Sequence, residues 1–346
     1  WYEYDSLFRL GRITRKDSAG TKTTTEYTFN SANMMSAFVE TVDGTTYTTS
    51  YAYDGDGRPD TSTFGTFSKD ITYDATLGRV SGYVLKDGAN TIYSTSVGYD
   101  DGDGTTSADS GRIDSITNGN ATNGYETLSY NYDARGYITR VEEDANNYSE
   151  YQYDGFGQLK RENYKWGATS YTMIFAYDVG GNITSRIKYA FVAGADPVGT
   201  ATATYNYTYD TTWQDELATY AGVTLTHDNI GNLTNDGTWD YTWTQGRRLE
   251  EITDDTTSAV IASYKYNDNG IRTEKTVDGD TTKFNLVGSQ ITWQQTGTED
   301  PIYFLYDSGG KLWGLEYTDG ETYFYVRNVQ GDIIKIVDDN GDIMVE

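Results

Sequence analysis

Tyr151-Gln152-Tyr153-Asp154-Gly155-Phe156-Gly157-Gln158-Leu159-Lys160-Arg161 recurs in imperfect copies from one end of this 346-residue chain to the other. Tyr151 and Tyr153 are two apart, so on a strand they share a face while Gln152 and Asp154 turn the other way. Asp154 to Gly157 is turn chemistry: an Asp carboxylate accepts from its own following backbone, and Gly takes the positive-φ position that other residues avoid. Leu159 reopens an apolar position, and Lys160 and Arg161 are expected to be exposed. The unit reads as strand, tight turn, strand.

Tyr-Asp occurs nine times, at Tyr4, Tyr53, Tyr73, Tyr99, Tyr132, Tyr153, Tyr177, Tyr209 and Tyr306, stepping by 20, 26, 33, 21, 24 and 32 residues between Tyr53 and Tyr209. Degenerate copies fill the gaps at Tyr27-Thr28-Phe29-Asn30, at His227-Asp228-Asn229-Ile230-Gly231-Asn232-Leu233, and at Tyr264 to Arg272. A last aromatic run is Tyr323-Phe324-Tyr325. Units of this size cannot bury an apolar face alone and must stack on their neighbours. The residues that define the repeat are Tyr53, Asp54, Gly57 and Arg58; Tyr132, Asp133 and Gly136; Tyr153, Asp154 and Gly157; Tyr177, Asp178 and Gly181; Tyr266 and Gly270; and Tyr325, Arg327 and Gly331. Their role is structural, and no catalytic, cofactor-binding or metal-binding residue is assigned.

The Tyr-x-Tyr-Asp-x-x-Gly-Arg-Leu pattern resembles the YD repeat of the Rhs family of bacterial polymorphic toxins, shared with the C components of insecticidal Tc toxins and with teneurins. The likeness covers essentially the whole chain. It is sharpest where Asp215-Glu216-Leu217, Asp228 to Asn232, Gly246-Arg247-Arg248-Leu249, Tyr266 to Arg272 and Tyr325 to Ile333 follow one another in the family's order. The resemblance implies an all-β fold: a long antiparallel sheet of YD-repeat hairpins coiled into a hollow or partly open β-shell, with a toxin held inside. It also implies a secreted or bacterial cell-surface protein of bacterial competition. Its partners would be a C-terminal toxin polypeptide of the same gene and the rest of the shell. The family's self-cleavage motif, around Asp-Pro-x-Gly-Leu, is absent here, so no autoproteolysis is expected.

Composition bounds the same reading. Tyr, Thr and Gly abundance favours strands and turns, and no Pro- or Ser-rich linker divides the copies, so residues 1–346 are expected to be one YD-repeat region. Trp1 already stands inside a copy, which suggests a piece of a longer chain whose targeting signal lies elsewhere. Such a piece is expected to form a partial wall with edges at Trp1 and Glu346 that need covering. With 52 acidic against 26 basic residues the net charge is −26, a field that repels phosphate backbones and argues against nucleic-acid binding. There is no cysteine, hence no disulfide or thiolate metal site, and no apolar run approaches the ~20 residues of a membrane helix.

In chain order, Phe8 stands where the first copy needs Gly, and Ser31 to Val42, with Met34, Met35, Ala37 and Phe38, is the one segment that could hold a short helix. Asp100 to Ser110 expands one turn into a surface loop before Gly111-Arg112-Ile113 resumes the pattern. Thr200 to Asp210 alternates strictly, with Thr200, Thr202, Thr204, Asn206, Thr208 and Asp210 on one face and Ala201, Ala203, Tyr205, Tyr207 and Tyr209 on the other. Such alternation gives one packed and one wet side. Repeated along the chain, it predicts a twisted sheet without a solid double-sided core.

Chemistry is sparse. His227, the single histidine, replaces a repeat Tyr and reads as structural, and without Cys neither a Cys-His pair nor a multi-His metal site can be built. Carboxylates are numerous, but a glycosidase pair needs a set separation in a cleft. Asp54-Gly55-Asp56-Gly57, Asp100 to Gly104 and Asp338-Asp339-Asn340-Gly341-Asp342 invite a calcium reading, yet none has the closing Glu, and Asp-Gly hairpin turns explain them. Asn120, Asn182 and Asn232 lie in Asn-x-Ser/Thr sequons that follow from composition. Two functions stay open: a shell that sequesters a toxin and performs no chemistry, or an adhesion module whose aromatics stack on cell-surface carbohydrate or protein. Where the aromatics point discriminates them.

Overall fold

The structure, a computed structural model, describes residues 1–17, 20–100 and 111–345. Among them are thirty-two strands and no helix. Nineteen strands, up to Val223–Thr224, fall in one antiparallel sheet and thirteen, from Thr226–His227, in a second. Within each sheet, strands pair with their sequence neighbours as runs of hairpins. All nine Tyr-Asp tyrosines are the last residue of a strand, from Tyr2–Tyr4 through Asn147–Tyr153 to Ile302–Tyr306. The register slips by one residue at that point, as where Gln152 faces Arg161 but Tyr153 faces Leu159. The slip is a bulge that lets the turn carboxylate fold under the strand end.

The repeat closes each turn in the same way. The Asp154 N–H donates to the Gln158 carbonyl at 2.9 Å and the Gly157 N–H to the Asp154 carbonyl at 3.2 Å. Asp154 Oδ1 accepts from the backbone N–H groups of Phe156 at 2.8 Å and Gln158 at 2.9 Å. Gly157 has φ +86°, and a Cβ there would meet the Tyr137 hydroxyl at 2.6 Å. Phe8 and Asn33 hold the same slot at φ 60° and 70°, which costs a side chain some strain.

The short helix allowed for Ser31 to Val42 is corrected: Met35–Val42 is a strand. Asn30 acts there as the turn Asp, its Oδ1 accepting from the N–H groups of Ala32 and Met34, both at 3.0 Å, so the segment is another hairpin. The expanded turn expected at Asp100 to Ser110 lies, beyond Asp100, outside the described residues.

Compact packing divides the chain into two units, Trp1–Thr127 with Thr282–Glu346, and Leu128–Thr281. The first has what the sequence reading ruled out, a core between two sheet faces. Val42, Tyr47, Phe64, Leu85, Ile92 and Tyr93 pack with Trp293, Tyr303, Leu305, Trp313, Phe324, Val326 and Val337. Tyr47 stacks on Tyr303 with centroids 4.0 Å apart, and Phe67 meets Phe324 edge-on at 5.4 Å. Sheet-on-sheet packing of this kind buries residues from both inner faces. The cause lies in strands such as Ile302–Tyr306 and Ile333–Val337, whose near-continuous apolar runs suit burial on both sides.

In the second unit the strands are thinner in apolar content. Ala203–Tyr209 alternates half-buried Ala and Tyr with exposed Thr and Asn, as expected, although Thr200 to Thr202 lie outside the strand. Arg161, expected exposed, is only 2% exposed. Its guanidinium donates to Asn163 Oδ1 at 3.1 Å and to the Val192 carbonyl at 2.5 Å, so the segment after Ile183–Tyr189 covers it. Lys160 remains exposed.

Candidate functional site: the repeat ladder and its buried charges

In most copies the tyrosine of the Tyr-Asp pair ties its hairpin to the preceding one. The Tyr177 hydroxyl donates to the Leu159 carbonyl at 2.8 Å, and Leu159 is the residue that reopens the strand of the copy before. The same bond joins Tyr53 to Met35 at 2.9 Å, Tyr73 to Pro59 at 2.6 Å, Tyr153 to Ile138 at 2.9 Å, Tyr209 to Ile183 at 2.9 Å, Tyr266 to Leu249 at 2.8 Å and Tyr306 to Ile291 at 2.8 Å. Where the tyrosine is missing, another donor reaches the same carbonyl. Trp243 Nε1 bonds Leu233 at 2.6 Å, and Arg327 Nη2 bonds Leu312 at 3.0 Å. Carbonyls just after a bulge have no ladder partner of their own, and a donor across the repeat satisfies them.

Arginine adds a second tie. Arg58 bonds Asp54 Oδ2 through Nε at 2.7 Å and lies over the Tyr73 ring of the next copy, 4.2 Å from its centroid. Arg79 lies 3.9 Å from the Tyr99 ring. Tyr132 ends Gly124–Tyr132, and Asp133 and Gly136 close the following turn through a Gly136 N–H to Asp133 carbonyl bond of 3.0 Å. Asp178 with Gly181, Asn267 with Gly270 and Asn328 with Gly331 repeat that bond at 3.2, 2.9 and 3.1 Å. Tyr325 is half-buried, and burial pushes its hydroxyl up to about 12. The predicted residues thus recur one set per turn and are not gathered into one cleft.

The turn carboxylates are electrostatically set by their donors. Backbone N–H groups, led by Leu77, hold Asp74 down to about 2, and those of Arg58, Asn182 and Asn232 lower Asp54, Asp178 and Asp228. Hydrogen bonds to the charged form favour it. At the third calcium-like segment, Asp338 Oδ1 accepts from Asn340 N–H at 3.0 Å and Asp342 N–H at 2.8 Å: the acidic run is a turn of the repeat. Asn120 and Asn232, in sequons, are buried and bond backbone carbonyls, those of Ile92 at 3.0 Å and Gly246 at 2.7 Å.

His227 ends its short strand in the tyrosine position, with Nδ1 3.7 Å from Glu216 Oε1. Two other polar groups went unread in the sequence, both within the first unit. Glu40 is fully buried and accepts from Asn285 Nδ2 at 2.6 Å, and burial pushes its carboxyl above the usual range. Lys69 Nζ lies 2.8 Å from Asp307 Oδ2, and desolvation pulls its pKa down against the attraction of that carboxylate. Asp307 is itself a turn Asp, Oδ1 accepting from Gly309 and Lys311 N–H at 3.0 and 2.9 Å. The pattern Tyr306-Asp307 shows the turn role; nothing local shows a lysine arriving from 238 residues away.

No helix among the described residues is long and apolar enough to cross a membrane. No family model matches the chain. The chain is 31% identical over 136 residues to the tRNA3(Ser)-specific nuclease WapA of Bacillus spizizenii, and 29% identical over 129 residues to the tRNA(Glu)-specific nuclease WapA of Bacillus subtilis subsp. natto. These matches cover 38% and 37% of this chain and 6% of each relative. In fold it is similar to the crystal structure of TcdB2-TccC3, with a TM-score of 0.59 and 14% identity over 97% of this chain and 22% of the other. It is also similar to the Photorhabdus luminescens Tc holotoxin pore, with a TM-score of 0.59 and 15% identity over 97% of this chain and 21% of the other. What repeats in the sequence repeats in the hydrogen bonds, and the chain resembles Rhs-type YD-repeat proteins in sequence over about a third of its length and the Tc toxin structures in fold over nearly all of it.

Proposed function

We propose that this chain is one YD-repeat region in the wall of an Rhs-type toxin shell. It sequesters a toxin polypeptide of the same gene, helps deliver it outside the producing cell, and performs no chemistry itself. The observation that carries this reading is the fold likeness to the Tc toxin structures over 97% of the chain. The ladder supports it further, because the recurring polar groups of the copies are consumed in joining one hairpin to the next, which is what a wall requires. The nuclease activity named for the WapA relatives belongs to proteins of which the match covers 6%, and in this gene too we place the chemistry in the enclosed polypeptide. The adhesion reading gains no support from the ladder tyrosines, whose rings are half-buried and in part covered by arginine, as Tyr73 is by Arg58.

Limited proteolysis of the complete gene product tests the proposal. The toxin polypeptide is expected to survive a protease dose that degrades the same polypeptide expressed alone. Equal digestion in both forms overturns it.

A further inference from the structure

Within the first unit, a cavity of about 500 Å³ opens between the strands Phe67–Tyr73, Val80–Asp87 and Asn90–Tyr99 on one side and the residues from Asp307 to Gly331 on the other. Ile71, Val97, Leu312 and Trp313 give it an apolar lining. Lys69, Lys311 and Arg327 also line it, against a single carboxylate, Asp307. Three cations facing one anion is the reverse of the balance in the whole chain, where acidic residues outnumber basic ones 52 to 26.

The hydrogen-bonding account is equally one-sided. Asp307 is already taken up, with Oδ2 bound to Lys69 and Oδ1 to two backbone N–H groups. Arg327 reaches only carbonyls, those of Gly331 and Leu312, and neither it nor Lys311 has an ion-pair partner among the described residues. Trp313 is 2% exposed, and its indole N–H has no acceptor. A buried donor without an acceptor costs free energy that an incoming acceptor recovers. The cavity is therefore supplied with donors and positive charge and short of acceptors, and its volume falls in the range of small-molecule sites.

We propose that this cavity binds a small apolar monocarboxylate, its hydrocarbon stem against Ile71, Val97, Leu312 and Trp313 and its carboxylate toward Lys311 and Arg327. Polyanions are disfavoured by the surrounding negative field, whereas a single carboxylate on an apolar stem answers both the lining and the unmatched donors. The site does not rest on the shell reading: Arg327 also serves the ladder through its bond to the Leu312 carbonyl, but Lys311 and the apolar side chains of the lining take no part in it.

Titration calorimetry of the full chain at neutral pH, with decanoate below its micelle concentration, tests this. Decanoate is expected to bind at one site per chain, and decan-1-ol and decylamine at least tenfold more weakly. Lys311 is exposed, so Lys311→Glu should fold normally by circular dichroism and weaken decanoate at least tenfold, while Lys311→Arg retains it. A short apolar peptide with one acidic residue serves as the competing source of the same chemistry. Equal affinity for decanoate and decanol, unchanged binding in Lys311→Glu, or binding of the peptide alone would each overturn the proposal.

Discussion

Tyr177 shows the ladder at the level of single residues. Its hydroxyl is the only part of the side chain that a Phe lacks, and the Leu159 carbonyl it serves at 2.8 Å sits beside a bulge. We expect Tyr177→Phe to lower stability by about 1 kcal/mol in urea unfolding, the worth of one such bond. An unchanged midpoint would remove the ladder from the energetics. His227→Tyr moves its copy toward the repeat, and its stability should stay within ~1 kcal/mol of the parent. Asp74 gives a pH test. Its folded-state value of about 2 lies below the ordinary 3.8, so its stabilisation is present above pH 3.8 and is lost as pH falls toward 2. Asp74→Asn should flatten the acid limb of a stability profile in that window, and a parallel profile would contradict the assignment.

At the scale of strands and sheets, the hairpins were legible because each copy carries its own instructions: alternate tyrosines, a turn Asp and a positive-φ Gly. Asn30 with Asn33 was harder to read, since Asn replaced both Asp and Gly and the neighbouring Met34 and Met35 suggested a helix. The core of the first unit was missed, although runs such as Tyr323-Phe324-Tyr325-Val326 break the apolar-polar alternation. What no local pattern discloses is pairing across the two faces, where Glu40 meets Asn285 and Lys69 meets Asp307. Glu40 makes the consequence measurable. Burial raises its folded-state pKa above the ordinary 4.5, so the folded chain holds this proton more tightly than the unfolded one. Its contribution is full at low pH and is lost as pH rises through the raised value. Glu40→Gln, which keeps the acceptor for Asn285, should stabilise the protein by about 1 kcal/mol at pH 8 and by nothing below pH ~4. Destabilisation at pH 8 would show that the charge itself holds the faces together.

For the molecule as a whole, composition and fold point the same way. A chain of net charge −26 stays soluble and resists casual contact with other acidic surfaces. Its chemistry-bearing side chains are spread one set per turn, and its polar groups are bound inward to its own backbone. Cryo-electron microscopy of the complete gene product tests most directly the proposal that these sheets enclose a toxin polypeptide of the same gene. The account predicts density for the toxin polypeptide lying against one face of these sheets and shut off from solvent. A toxin folded outside the sheets, with that face empty, would contradict it.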